Sequence, residues 1–124
     1  MNGSTVSLVG RVMYCLPLVI FGFGHFGNAS AMAPMVPLPG GVIWIYVTGI
    51  ALLAAALSII INKMTKLSGL LLGVMLIAFA LGVHLQGMMG AEDEMAKMNF
   101  FGNMVKDLGL AGAAFYISGK NWGS

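Results

Sequence analysis

Polar residues are so sparse along this chain that four apolar stretches dominate it, at 12–26, 42–61, 68–85 and 100–117. The second runs for 20 residues without a charge. Roughly 20 apolar residues are what a helix needs to cross a bilayer core of about 30 Å. A helix in a soluble bundle repeats a polar face with the 3.6-residue period. The second and third stretches have no such face. The pattern predicts an all-α protein, a four-transmembrane-helix bundle forming a single domain over residues 1–124. Its helices are expected near 6–26, 42–62, 67–87 and 100–118.

The joints between the stretches are legible. Residues 27–41 carry Pro34, Pro37, Pro39 and the Gly40-Gly41 pair, which predicts an irregular but stiff loop, since proline fixes φ and cannot continue a helix ladder. Residues 62–67 hold Lys63 and Lys66, and residues 87–99 hold Glu92, Asp93, Glu94 and Lys97. Four spans put both termini and the second loop on one side. That side collects Lys63, Lys66 and Lys120, with Arg11 close to it, so the positive-inside rule predicts cytoplasmic termini. The expected location is the inner (cytoplasmic) membrane of a bacterium. Arg11, the run from Val12 and Ala29-Ser30-Ala31 imitate a signal peptide. The basic residue comes late, however, and the run ends at His25, well before the triplet, so the first stretch is read as a span.

Composition sharpens this picture. Charged residues are 8% of the chain against about 25% in an average soluble domain, which leaves no room for a soluble domain. A formal charge of +2 is small and dispersed and points to no nucleic acid. The single cysteine, Cys15, excludes an internal disulfide and a C-x-x-C motif. Gly69-x-x-x-Gly73, Ala51-x-x-x-Ala55 and Gly109-x-x-x-Ala113 are small-xxx-small patterns that would let helix backbones approach closely in lipid. The 11 methionines are read as adaptable gap-fillers in preference to a metal-binding stripe. Asn28-Ala29-Ser30 matches a glycosylation sequon.

Orientation makes the polar residues informative. Helices one and three run outward, which places His25 and His84 at their outer ends. Helix four runs inward from about Phe100, so Asn103, Lys106 and Asp107 lie in its outer half. Asp107 is then about 10 Å below the helix start at about 1.5 Å per residue. Trp44 and Tyr46 begin helix two at the same level. Ionisable groups within spans are costly and usually face the bundle interior or a watery cavity. Asp107 is therefore expected to pair with His25 or His84, which would hold one tautomer and raise the basicity of the imidazole. Lys106 projects about 100° away around the helix and is expected to snorkel.

Other readings of these residues stand beside that one. Either histidine could be an interface residue satisfied by water or a carbonyl. Two histidines and a carboxylate could hold a metal, or two histidines a haem, but no spacing here is a metal or cofactor motif. No metal, catalytic residue or intrinsic cofactor is assigned. Arg11 either snorkels to the headgroups or clamps a carboxylate or lipid phosphate in bidentate fashion.

The ordered set of features resembles the DoxX-like family of small four-helix membrane proteins over nearly the whole chain. The carriers are Arg11, Gly22-Phe23-Gly24-His25-Phe26, Met35-Val36-Pro37-Leu38-Pro39-Gly40 and Tyr46-Val47-Thr48-Gly49-Ile50. The Lys-rich joint, Asn103 and Lys106-Asp107-Leu108-Gly109-Leu110-Ala111-Gly112 complete them. The resemblance implies a four-helix bundle. Some members are linked to membrane redox systems, such as a quinone-reducing thiosulfate oxidation complex and oxidative-stress assemblies. The expectation is a small integral-membrane subunit of a redox or electron-transfer assembly, in contact with lipid and with larger partner subunits. Its quinone-sized pocket would be lined by His25, His84, Asp107, Asn103, Trp44 and Phe26. The alternative is a non-enzymatic structural or assembly subunit that packs against larger membrane proteins through its Gly- and Met-rich faces.

Overall fold

The computed structural model describes residues 2–36 and 38–120; Pro37 of the first loop lies outside the described residues. The described residues form five helices and no strand: α1 (Gly3–Gly27), α2 (Ala29–Met32), α3 (Val42–Ile61), α4 (Thr65–Gly90) and α5 (Glu94–Gly119). Three of them, α1, α3 and α4, are long and apolar enough to cross a membrane. That is the mark of an integral membrane protein. The fourth predicted span exists as a helix, α5, but its charged and amide residues keep it outside that group. The chain divides into two compact units, Met1–Ser68 and Gly69–Ser124.

In the first unit α1 and α3 pack antiparallel. Arg11 lies opposite Ile60, Cys15 opposite Ala56 and Gly22 opposite Gly49. The steps from 11 to 15 to 22 follow one face of a helix. Cys15, Leu18, Leu52 and Ile59 are buried along this seam, and the Cys15 thiol donates to the Ala56 carbonyl at 3.4 Å. Two glycines allow a close approach in this seam. A Cβ on Gly49 would sit 3.0 Å from the Gly22 carbonyl oxygen, and one on Gly22 would sit 2.8 Å from Leu53 Cδ2. The opposite faces are apolar as well: Met13 is 67% exposed, Phe23 63% and Leu57 61%. Large apolar side chains this exposed along whole helices are expected where the surrounding solvent is lipid.

Arg11 has a role that neither sequence reading foresaw. Its guanidinium donates to the carbonyls of Ile59 at 3.2 Å and Ile60 at 2.8 Å. The last four carbonyls of a helix have no partner within it. At this end Asn62, in the left-handed conformation at φ 58°, donates its N–H to Ile59, and Lys63 donates to Ser58 at 3.0 Å. This is a Schellman closure, with Arg11 supplying further donors. The Ser58 hydroxyl donates to the Lys63 carbonyl and bonds the Ser68 hydroxyl at 2.8 Å. Arg11→Ala is expected to lower stability in detergent by about 1–3 kcal/mol, the usual contribution of hydrogen bonds from a charged donor. Arg11→Lys should recover part of it. A thermal melt of the two variants checks the order.

The loop before α3 is more ordered than its prolines predict. α2 and a 3₁₀ turn, Ala33–Met35, occupy it, with Pro34 at the start of the 3₁₀ turn where its missing N–H costs nothing. Gly40 takes φ 94°, which favours glycine. Helix ends also differ from expectation. α1 starts at Gly3 because Asn2 caps it, its side chain accepting from Thr5 N–H at 2.9 Å. α5 starts at Glu94, six residues early, because Asp93 caps it by accepting from Ala96 N–H at 2.7 Å. The acidic triplet is thus half loop and half helix start, where negative charge complements the helix dipole.

Candidate functional site

The second unit is an antiparallel pair built from α4 and α5. Gly69 lies against Ala114 and Ser118, Gly73 against the Phe115 ring and Gly87 against the Phe100 ring. The buried face of α5 is Asp107, Ala111, Ala114 and Ser118, spaced at the four- and three-residue steps of one helix face. Gly109, which the small-residue pattern nominated, has open space where a Cβ would be. Across this seam α4 buries Leu72, Leu76 and Ala80.

Just beyond Ala80 the helix changes pitch. Residues Ala80–His84 form a π turn, closed by Leu85 N–H on the Ala80 carbonyl. Such single π turns inside α-helices are rare and are frequent at functional sites. The extra residue per turn rotates His84 relative to an uninterrupted α-helix. His84 meets Asp107 there, with Nε2 2.9 Å from Oδ2.

Asp107 is 4% exposed, and this contact addresses the main cost of placing a carboxylate among apolar helices. Its second oxygen, Oδ1, lies 3.4 Å from Lys106 Nζ. Lys106 therefore folds back along its own helix to reach Asp107, rather than only projecting away from it. The aspartate joins a partly exposed imidazole on one side to a half-exposed ammonium on the other. Because α5 begins at Glu94, Asp107 stands about 20 Å along the helix at about 1.5 Å per residue, not 10 Å.

The remaining nitrogen, His84 Nδ1, is a buried side-chain polar atom with no hydrogen-bond partner. A carboxylate can only accept, so with Asp107 ionised Nε2 carries a proton. Neutral His84 then keeps its lone pair on Nδ1. Buried polar atoms are nearly always satisfied, so an unpaired one beside a π turn marks a place where a ligand group or water can bond.

The other nominated residues behave differently. His25 Nδ1 donates to the Phe21 carbonyl one turn back at 2.6 Å, so one ring nitrogen is satisfied within its own helix. Phe26 stacks on Tyr46, with ring centroids 5.7 Å apart. The Trp44 indole donates to the Pro39 carbonyl at 2.7 Å and ties the loop to the start of α3. His25, Phe26 and Trp44 belong to the first unit, and His84, Asn103 and Asp107 to the second. Asn103 is exposed, one turn before Asp107. Sequence reasoning missed the π turn and the Lys106 contact. No local signal announces a π turn, and helix periodicity alone turns Lys106 away.

Among the described residues no group of three or more His, Cys, Asp or Glu is placed to hold a metal ion. No curated protein and no solved structure matches the chain. Residues 14–105 match the family described as Domain of unknown function (DUF8561), a match that takes in His25, His84 and Asn103 and stops short of Asp107. It covers well over half of the sequence, and the chain belongs to the DUF8561 family.

Proposed function

We propose that the protein is a small integral-membrane subunit of a redox or electron-transfer assembly, with the His84–Asp107 pair as its proton-handling site. The carrying observation is the 2.9 Å contact between Nε2 and a buried carboxylate, with Nδ1 unpaired on the far side of the ring. Quinone chemistry in lipid needs protons delivered where water is scarce. Neutral His84 could accept a hydroxyl hydrogen of a quinol at Nδ1, while the imidazolium would donate to a quinone oxygen. Asp107 would orient the ring and stabilise its charge. Lys106, at 3.4 Å from Oδ1, would connect the pair to water at the interface. The redox context is carried by the DoxX-like resemblance, and the electron donor would be a partner subunit.

The test is purification from native membranes in mild detergent, followed by quinone extraction. Quinone should accompany the wild-type protein and be depleted in His84→Leu. Equal quinone in both preparations would overturn the site.

We place the protein in a bacterial inner membrane with four spans and cytoplasmic termini, counting α5 as a span because its Phe100–Ile117 stretch is apolar apart from the Lys106–Asp107 pair and Asn103. Single cysteines introduced at Ser30 and Lys63 should label from opposite sides of intact membranes, and tags at the two termini from the same side. Termini on opposite sides would leave three spans.

A structural or assembly role is the second reading. It is favoured by the outward apolar faces of α1 and α3, which offer a larger membrane protein a broad surface within lipid.

A further inference from the structure

Residues 87–99 contain four methionines, Met88, Met89, Met95 and Met98, and no leucine, isoleucine, valine or aromatic residue. Elsewhere the large apolar positions are filled mostly by Leu, Ile, Val and Phe. Here, at the α4–α5 turn, the thioether is the only large apolar group used. Gap-filling does not account for it, because Met89, Met95 and Met98 are all exposed. Burial in lipid does not either, because the segment also carries Glu92, Asp93, Glu94 and Lys97.

Three of the four line one groove. Met88, Met89 and Met98, with Lys97 and Phe101, line an open groove of about 400 Å³ within the second unit. Met88 and Met89 come from the end of α4, and Met98 from the second turn of α5. Flexible side chains from two helices can bring their sulfurs together without moving the backbone. Lys97, the one cation on the rim, is drawn toward Glu94 at 3.8 Å, and Glu92 and Asp93 add negative charge beside it. Three carboxylates against one ammonium in residues 92–97 favour a cation over an anion at this turn.

We propose that this groove binds Cu(I) through the thioether sulfurs of Met88, Met89 and Met98. Neutral, soft thioethers select a soft monovalent ion, whereas Zn(II), Mg(II) and Ca(II) call for imidazole, thiolate or oxygen donors. The site is separate from the His84–Asp107 pair and does not rest on the redox reading.

The test uses the full chain in detergent, without oxygen, titrated with Cu(I) against a colorimetric Cu(I) chelator. The protein should retain one Cu(I) per chain, and X-ray absorption at the copper edge should show sulfur neighbours. The triple variant Met88→Leu/Met89→Leu/Met98→Leu conserves volume, so the helix pair should persist. With all three sulfur donors gone, it should no longer hold Cu(I) against the chelator. Cys15→Ser and Met64→Leu should bind as the wild type does. Failure of the wild type to hold Cu(I) against the chelator, full affinity in the triple variant, or loss of binding in Cys15→Ser would each overturn the proposal.

Discussion

Gly69→Leu is expected to lower the stability of the detergent-solubilised protein by about 1–3 kcal/mol, the usual scale of overpacking. The reason is local and backbone-bound. A Cβ at position 69 would lie 2.7 Å from the Ala114 carbonyl oxygen and 2.9 Å from Ser118 Cβ. Neither can move without shifting α5 as a whole. Gly73→Leu meets a side chain instead, the Phe115 ring, which is partly exposed and has somewhere to turn. Its loss should be smaller. Gly109→Leu faces open space and should melt with the wild type. Thermal denaturation of the three variants side by side gives the order. If Gly109→Leu were the most damaging, the α4–α5 register described above would be wrong.

The second large effect concerns chemistry. Asp107→Asn keeps the size and hydrogen-bonding shape of the side chain and removes its negative charge. Proton-linked turnover of the parent assembly should fall by about a hundredfold, within the usual range for general acid–base groups. Assembly should be retained, because the packing around position 107 is unchanged. His84→Asn should fall with it, and the double variant should be little worse than either single one, since two residues acting as one unit are not additive. Turnover in Asp107→Asn equal to wild type would remove the proton-handling role and leave the structural reading in possession. Blue-native electrophoresis of the same membranes separates the two outcomes.

Much of the architecture is written locally. The apolar run 42–61 coincides with α3 because its residues satisfy both requirements of a span, length and the absence of charge. The caps were legible in principle. Asn2 with Thr5, and Asp93 ahead of Glu94, are ordinary N-terminal signals. Hydropathy does not carry them, because a helix can extend beyond the apolar part of its own sequence.

What the sequence could not rank was which small residues touch. Gly22 and Gly49, Gly69 and Ser118 meet because two antiparallel helices bring their faces into one register. Gly109 and Ala113 carry an equally good pattern on a face where Gly109 meets nothing. Arg11 makes the same point. Its charge and position near the membrane edge were plain, but its partners are the Ile59 and Ile60 carbonyls, exposed only because α3 happens to end opposite it.

The sequence by itself determined that this is a helical membrane chain, where the apolar parts of its long helices lie, and that Asp107 must find a partner among apolar neighbours. Those conclusions follow from length, charge and the cost of an ion in lipid, which act on each segment separately. Only the tertiary structure decided that the partner is His84, that Lys106 reaches the other carboxylate oxygen, and that a π turn accompanies the contact. Each of these depends on the rotation and register of one helix against another, quantities set by side-chain packing across the seam and carried by no single stretch of residues.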